Sequence, residues 1–193
     1  MEKLLQLDEN ILLWIQDNLR IDFLDWIMKT ITGLGDGGFI WIILTALLLL
    51  FRKTRFAGAT SALSMILTLL VVNLGIKNIV ARTRPYEAIE GLERIIEAQS
   101  DFSFPSGHTA HSFAVAVVLF MLLPKKWGIT TLVFAFIMGF TRLYVGVHYP
   151  TDVIGGALIG TVIAIISLCI TRYIRNKLWP DNPMQKDEKI DEI

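Results

Sequence analysis

The 193-residue chain holds a single cysteine, Cys169, so it can form neither an internal disulfide nor a thiolate metal cage. Cys169 lies inside an apolar run and reads as a packing residue. An excess of charge of one sign is also missing. The 18 Lys plus Arg balance 18 Asp plus Glu, which removes any global electrostatic argument for a nucleic-acid partner. Residues 1–20 lack a basic start and a small-residue cleavage site and carry Glu2, Asp8, Glu9 and Asp17, so a removable signal peptide is not expected. Apolar length, in contrast, is plentiful. The chain is 53% hydrophobic with a mean hydropathy of +0.55, well above the usual apolar share of a soluble domain. The expected fold is all-α, a polytopic transmembrane helix bundle of five to six spans. One membrane-embedded domain would cover residues 1–177, and a polar cytoplasmic tail would follow over 178–193.

A spanning helix needs about 20 mostly apolar residues. Five segments approach that length: Gly38 to Phe51, Phe56 to Ile76, Thr109 to Leu123, Trp127 to Val147 and Val153 to Ile170. Lys and Arg collect in short cytoplasmic connections. Arg52, Lys53 and Arg55, then Lys125 and Lys126, then Arg172, Arg175 and Lys177 all fall on one side of the five spans. The other side, predicted to face away from the cytoplasm, holds Lys77, Arg84, the loop to Ser106 and the turn bearing His148. In residues 1–34, apolar residues such as Leu4, Leu5, Leu12, Trp14, Phe23 and Trp26 recur at helical spacing among charges. That pattern predicts an amphipathic interfacial helix, with a sixth span over residues 11–33 as the alternative. Between Pro85 and Phe104, Glu87, Glu90, Glu93 and Glu97 alternate with Ile89, Leu92, Ile95 and Ile96, which predicts a short amphipathic helix with a solvated acidic face and no metal site.

Three short stretches carry chemistry. Lys77 and Arg84 lie seven positions apart at one helix end, and Pro85 interrupts the helix beyond them. Arg offers a planar fork to phosphate oxygens and Lys a point charge. Nearby Arg82 reads as a side chain snorkelling to headgroups. Pro105-Ser106-Gly107-His108 opens a helix, whose unpaired N–H groups and partial positive charge suit an anion. Ser106 suits an N-cap, a phosphate contact or both, and Gly107 allows close approach. His108 titrates in the range that permits proton donation near neutrality. A capped helix with a surface histidine explains that run equally well taken alone, and His111 reads as a bystander. Arg142, His148 and Asp152 form the third stretch. The last two are spaced so that a carboxylate can hold one imidazole nitrogen and leave the other to attack, or so that Asp152 caps the next helix. Tyr144 and Tyr149 read as interfacial aromatics.

Lys77-x6-Arg84-Pro85, Pro105-Ser106-Gly107-His108 and Thr141-Arg142-x5-His148-x3-Asp152 together resemble the three-part signature of the type-2 phosphatidic acid phosphatase superfamily, which includes glucose-6-phosphatase and the vanadium haloperoxidases. The motifs span residues 77–152, and Thr141 stands where the third motif usually has Ser, keeping the hydroxyl. The resemblance implies His148 as nucleophile through a phosphohistidine, Asp152 orienting its ring, and His108 as general acid. Lys77, Arg84, Arg142, Ser106 and the Gly107 amide would hold the phosphoryl oxygens. No cofactor or metal is implied, since three cations and a helix start supply the charge neutralisation that phosphoryl transfer needs.

An outward-facing site at the membrane surface suits a lipid phosphate: phosphatidylglycerol phosphate, phosphatidic acid or undecaprenyl diphosphate. Small size resembles bacterial enzymes acting on the first and last of these. A small anion transporter or channel is the rival from another class, but the cations cluster near one surface and no mid-span charge is present. A haloperoxidase would need vanadate, and its usual members resemble soluble proteins. Gly156 and Gly160 form a small-xxx-small pair expected to pack within the bundle, and oligomeric state stays open.

Overall fold

The structure, a computed structural model, describes residues 2–178, so that all but the first residue of the expected polar tail lies outside the described residues. It is all-helical, with no strand among the described residues. Helices α1 (Glu2–Leu19) and α2 (Asp22–Leu34) are separated by a break at Arg20 and Ile21, so residues 11–33 are not one continuous helix. A tight turn, Asp36–Gly38, joins α2 to α3 (Phe39–Leu50), and the two helices meet at a 49° bend. Helix α4 (Arg55–Thr68) widens into a π-helical stretch, Leu69–Ile76, and continues as α5 (Lys77–Val80). After α6 (Pro85–Ala88) come α7 (Gly107–Leu122), α8 (Lys125–Tyr144) and α9 (Pro150–Leu178). Pro150 opens α9, where a missing N–H and a fixed φ do no harm.

Helix α7 is the axis of the bundle, packed against α9, α8 and α4. Ala110, Ala114, Val115, Ala116, Val118 and Leu119 are fully buried along it. Small residues allow this close approach. A Cβ on Gly160 would lie 2.3 Å from the Ala110 carbonyl oxygen, and one on Gly156 would lie 2.6 Å from that of Ser106. The small-xxx-small pair is therefore spent inside the molecule, on α7. In lipid, where apolar burial no longer separates helix–helix from helix–lipid contact, such backbone proximity is what holds helices together.

Among the described residues, three segments are long and apolar enough to cross a membrane: Arg55–Ala88, α8 and α9. A fourth is obtained if the bent α2–α3 pair counts as one span, and α7 is apolar but only 16 residues long. The chain is thus a membrane protein by its apolar helices. The basic clusters share one end of the bundle: the Arg175 guanidinium stacks 4.2 Å over the Phe56 ring, and Thr171 bonds Thr60 at 2.9 Å, which ties the end of α9 to the start of α4.

The opposite end is assembled by α1. Its Asp8, Leu12 and Ile15 are buried, while Leu4, Leu5, Leu7 and Trp14 are exposed. The helix expected between Pro85 and Phe104 stops at Ala88. Gly91, at φ 78, takes a left-handed turn that a continuing helix would not tolerate. The apolar side chains are still covered: Ile89 and Leu92 pack with Leu12 and Tyr149, and Ile95 and Ile96 lie against the cluster of Ile15 and Val147. Side chains from α1 and from the break that follows it satisfy the irregular backbone. Gln16 donates to the Gly91 carbonyl (2.9 Å) and accepts from the Glu93 amide (2.8 Å), and Arg20 donates to the Glu93 carbonyl (2.7 Å).

Candidate active site

Lys77 is placed at the end of the α4–α5 rod, and Ala81, at φ 48, ends that rod and turns the chain toward Arg84 and Pro85. Both cations are 3% exposed. Buried charges require partners, and one carboxylate supplies them: Lys77 Nζ donates to Asp101 Oδ2, and Arg84 Nη2 donates to Asp101 Oδ1 at 2.5 Å. Arg84 Nε also donates to the Asp101 carbonyl (2.8 Å) and Nη1 to the Val147 carbonyl (2.8 Å), which fixes the plane of the guanidinium. Partial burial would raise the Asp101 carboxyl, but the hydrogen bond and charge of Lys77, with Arg84, reverse that and hold it below the usual carboxylate range.

Ser106 is the N-cap of α7, its Oγ accepting from the Thr109 amide at 3.4 Å and from the Thr109 hydroxyl at 2.9 Å. It is fully buried and does not line the cavity described below, so the cap is what the structure gives it. Its amide donates to the Asp152 carbonyl (3.1 Å), tying the start of α7 to the start of α9. Gly107 and His108, on the first turn, do face the cavity. So does His111, whose Nδ1 lies 3.0 Å from the Gly107 carbonyl, which places it in the site and not apart from it.

The α8–α9 turn carries the third stretch. Gly146 (φ 77) makes the turn, and a Cβ there would lie 2.7 Å from the Glu93 carbonyl oxygen. His148 is 1% exposed; its Nδ1 is 3.5 Å from Asp152 Oδ2, and its Nε2 is 3.4 Å from Arg84 Nη1. A guanidinium can only donate, so Nε2 is the acceptor and the ring proton sits on Nδ1, toward Asp152. Burial pushes the imidazole down to about 3; Asp152 works against this shift, while Arg142 and Arg84 add to it. His148 is therefore a neutral ring with its lone pair on the side of the cations. Asp152 is itself fully buried and accepts from the Ser103 hydroxyl (2.5 Å), the Tyr149 amide (3.0 Å) and Arg82 (2.5 Å).

That last contact corrects the reading of Arg82 as a headgroup anchor. Its guanidinium bridges Asp152 and Asp8 (2.9 Å) and stacks 3.7 Å over the Tyr149 ring. Tyr149, at 7% exposed, is a core residue of this network, and buried Tyr144 donates to the Asp25 carboxylate (2.7 Å); neither is an interfacial aromatic. The bonds of Asp8 to Thr151 and Arg82 draw α1 into the support of the site.

These parts surround one cavity of about 300 Å³, lined by Lys77, Arg84, Gly107, His108, Arg142 and His148 among others. Three cations and three imidazoles, His111 among them, converge on a volume that fits a phosphoryl group and the first atoms of what carries it. Arg142 is fully buried; its Nη1 donates to the Thr32 hydroxyl, and its Nε has no partner among the described residues. A buried donor left free beside a cavity is what an oxyanion would satisfy. The remaining wall holds residues that no spacing pattern singled out: Asp101, Asn73 on the π-helical stretch, and the turn Gly35–Gly38 with Asp36, whose Oδ1 is 3.0 Å from His108 Nε2. Their only signal lies in three dimensions, since Thr32 and Asp36 reach the site across 110 and 72 positions.

Residues 57–176 match the model of the PAP2 superfamily. An undecaprenyl-diphosphatase of Sulfolobus acidocaldarius is 35% identical over 68% of this chain, which spans 64% of that relative, a little under two thirds. A lipid A 4'-phosphatase of Bacteroides thetaiotaomicron is 29% identical over 95% of this chain and 85% of its own length. Among solved structures, the PAP2-type phosphatidylglycerolphosphate phosphatase from Bacillus subtilis superposes with a TM-score of 0.74 at 28% identity, covering 90% of this chain and 89% of that one.

Proposed function

The chain belongs to the PAP2 superfamily, and from that premise we propose that it is a membrane lipid phosphatase that removes a terminal phosphate without a metal ion, through a phosphohistidine on His148. The observation that carries this reading is the placement of Asp101: an oxyanion of the protein sits between Lys77 and Arg84, which supports reading the two cations as a cradle for a phosphoryl group. In the first step His148 Nε2 attacks phosphorus as the bond to the leaving oxygen breaks, and His108 gives that oxygen its proton. In the second, water attacks the phosphohistidine, His108 takes the water's proton, and inorganic phosphate leaves with His148 restored. Lys77, Arg84, Arg142 and the Gly107 amide hold the equatorial oxygens throughout, and Ser106 acts by capping the helix that presents that amide. Asp152 keeps the ring proton on Nδ1 and stabilises the charge that develops.

The three relatives differ in the lipid named and agree on phosphate, and the motifs touch phosphate only. Phosphatidylglycerol phosphate and undecaprenyl diphosphate are the substrates proposed here, with phosphatidic acid beside them. Five crossings are proposed: α2–α3 as one broken span, α4 with its continuation, α7, α8 and α9. Helix α7 can be short because it is sheathed by protein. Helix α1 would lie in the interface, with Leu4, Leu5, Leu7 and Trp14 toward the acyl chains. With the basic clusters cytoplasmic, the site opens on the extracytoplasmic face.

The test is phosphate release from a panel of these lipids by protein in micelles, with and without EDTA. Wild type is expected to turn over in both, and His148→Ala to lose on the order of 10⁴-fold or more. Turnover that the mutant retains, or that EDTA abolishes, overturns the reading. Anion flux across vesicles without phosphate release would point to a transporter instead.

A further inference from the structure

The general acid proposed above rests against a part of the chain that lies outside the matched residues 57–176. The turn Gly35–Gly38 is fitted to the His108 ring from two directions. A Cβ on Gly35 would meet His108 Cδ2 at 2.6 Å and Met138 Sδ at 2.8 Å, so only glycine lets the backbone close on the imidazole here. Gly37 (φ 59) and Gly38 (φ 75) then give the left-handed turn that brings Asp36 Oδ1 to 3.0 Å from Nε2. One turn earlier on α2, Thr32 holds Arg142. The end of α2 thus contacts both a phosphate-binding cation and the acid.

We infer that Asp36 is the positioning residue of the general acid: it holds His108 by Nε2 and leaves the other nitrogen to pass its proton to the leaving oxygen. The proposal rests on the reading of His108 as that acid. The proton balance is unchanged, since the nitrogen that donates in the first step regains a proton from water in the second. The charged and titratable groups that face His108 are Asp36 on the turn, Arg142 on α8, His111 on its own helix, and Lys77, Arg84, Asp101 and His148 across the cavity. Arg142, Lys77 and a protonated His111 oppose a second positive charge, and Asp101 is engaged by Lys77 and Arg84. Asp36 is the carboxylate bonded to the ring. Its side chain is 69% exposed at the cavity mouth, so the effect is modest until a bound lipid excludes water.

The experiment compares Asp36→Asn, Asp36→Glu and His108→Ala with the wild-type chain, using an alkyl lipid phosphate and an activated aryl phosphate as substrates. Asp36→Asn is expected to slow the alkyl substrate on the order of 10-fold more than the aryl one and to move the alkaline limb of the rate profile to lower pH. Asp36→Glu is expected to recover part of both changes. Equal slowing of both substrates by Asp36→Asn, or no slowing, while His108→Ala still discriminates between them, overturns the role of Asp36 and leaves His108 as the acid. Failure of His108→Ala to discriminate removes the acid, and this proposal with it.

Discussion

Two of the three imidazoles that line the cavity, His148 and His108, each have a carboxylate, and the pairs are built in opposite ways. His148 and Asp152 are four residues apart, both buried, and the carboxylate accepts from Ser103, Tyr149 and Arg82 besides facing the ring. His108 and Asp36 are 72 residues apart, and the carboxylate stands at the cavity mouth on a glycine-rich turn. The difference matches what each ring is proposed to do. A nucleophile needs one tautomer, one orientation and a lone pair free of protons, which a buried and saturated partner provides. An acid that gives and regains a proton in each cycle needs a ring that can change charge, and a carboxylate near water allows that change at small reorganisation.

The sharpest way to break this comparison is to neutralise each carboxylate in turn. Asp152→Asn is expected to lower kcat by about 10³- to 10⁴-fold on every substrate, because the tautomer of His148 is no longer fixed. This loss should be far larger than that of Asp36→Asn and independent of the leaving group. Equal effects of the two substitutions in steady-state kinetics would erase the distinction. A smaller effect is expected one layer out. Arg82→Ala leaves Asp152 and Asp8 without their shared cation, which should destabilise the fold by about 3 kcal/mol and lower Tm in micelles. An unchanged Tm would mean that Arg82 is only a surface side chain. The smallest change expected is none at all. With its imidazole pushed down to about 3, His148 should keep the neutral signature in ¹⁵N-histidine NMR as pH falls from about 8 to 5, since protonation sets in only as pH approaches that value. Protonation of His148 inside that window would show a ring far less buried than described.

The same contrast explains what was legible in the sequence. His148 and Asp152 share one turn of chain, so their relation is written in spacing, as is the cap of Ser106 on α7 and the packing of Gly156 and Gly160. Arg82 was misread because its partners come from α1 and α9, 74 and 70 positions away, and a lone Arg at a helix end carries no mark of them. The alternation between Ile89 and Ile96 reads as an amphipathic helix, but hydrophobic periodicity does not distinguish a helix from an irregular chain whose backbone is satisfied by Gln16 and Arg20. Asp36 sits in a run, Gly35-Asp36-Gly37-Gly38, that reads as an ordinary turn, and only the approach of α7 shows what the turn is for. Asp101 likewise looks like one more loop acid until Lys77 and Arg84 close on it.

The central claim is that one tetrahedral anion is shared by Lys77, Arg84 and Arg142 between His108 and His148. A structure of the protein with orthovanadate tests it most directly, because vanadate adopts the five-coordinate geometry of the transferring phosphoryl group. The expected result is vanadium bonded to His148 Nε2, its equatorial oxygens on the three cations, an axial oxygen toward His108, and the Asp101 carboxylate swung out of the cradle. Vanadate bound away from His148, or Asp101 still bridging Lys77 and Arg84 with the anion elsewhere, would contradict the account.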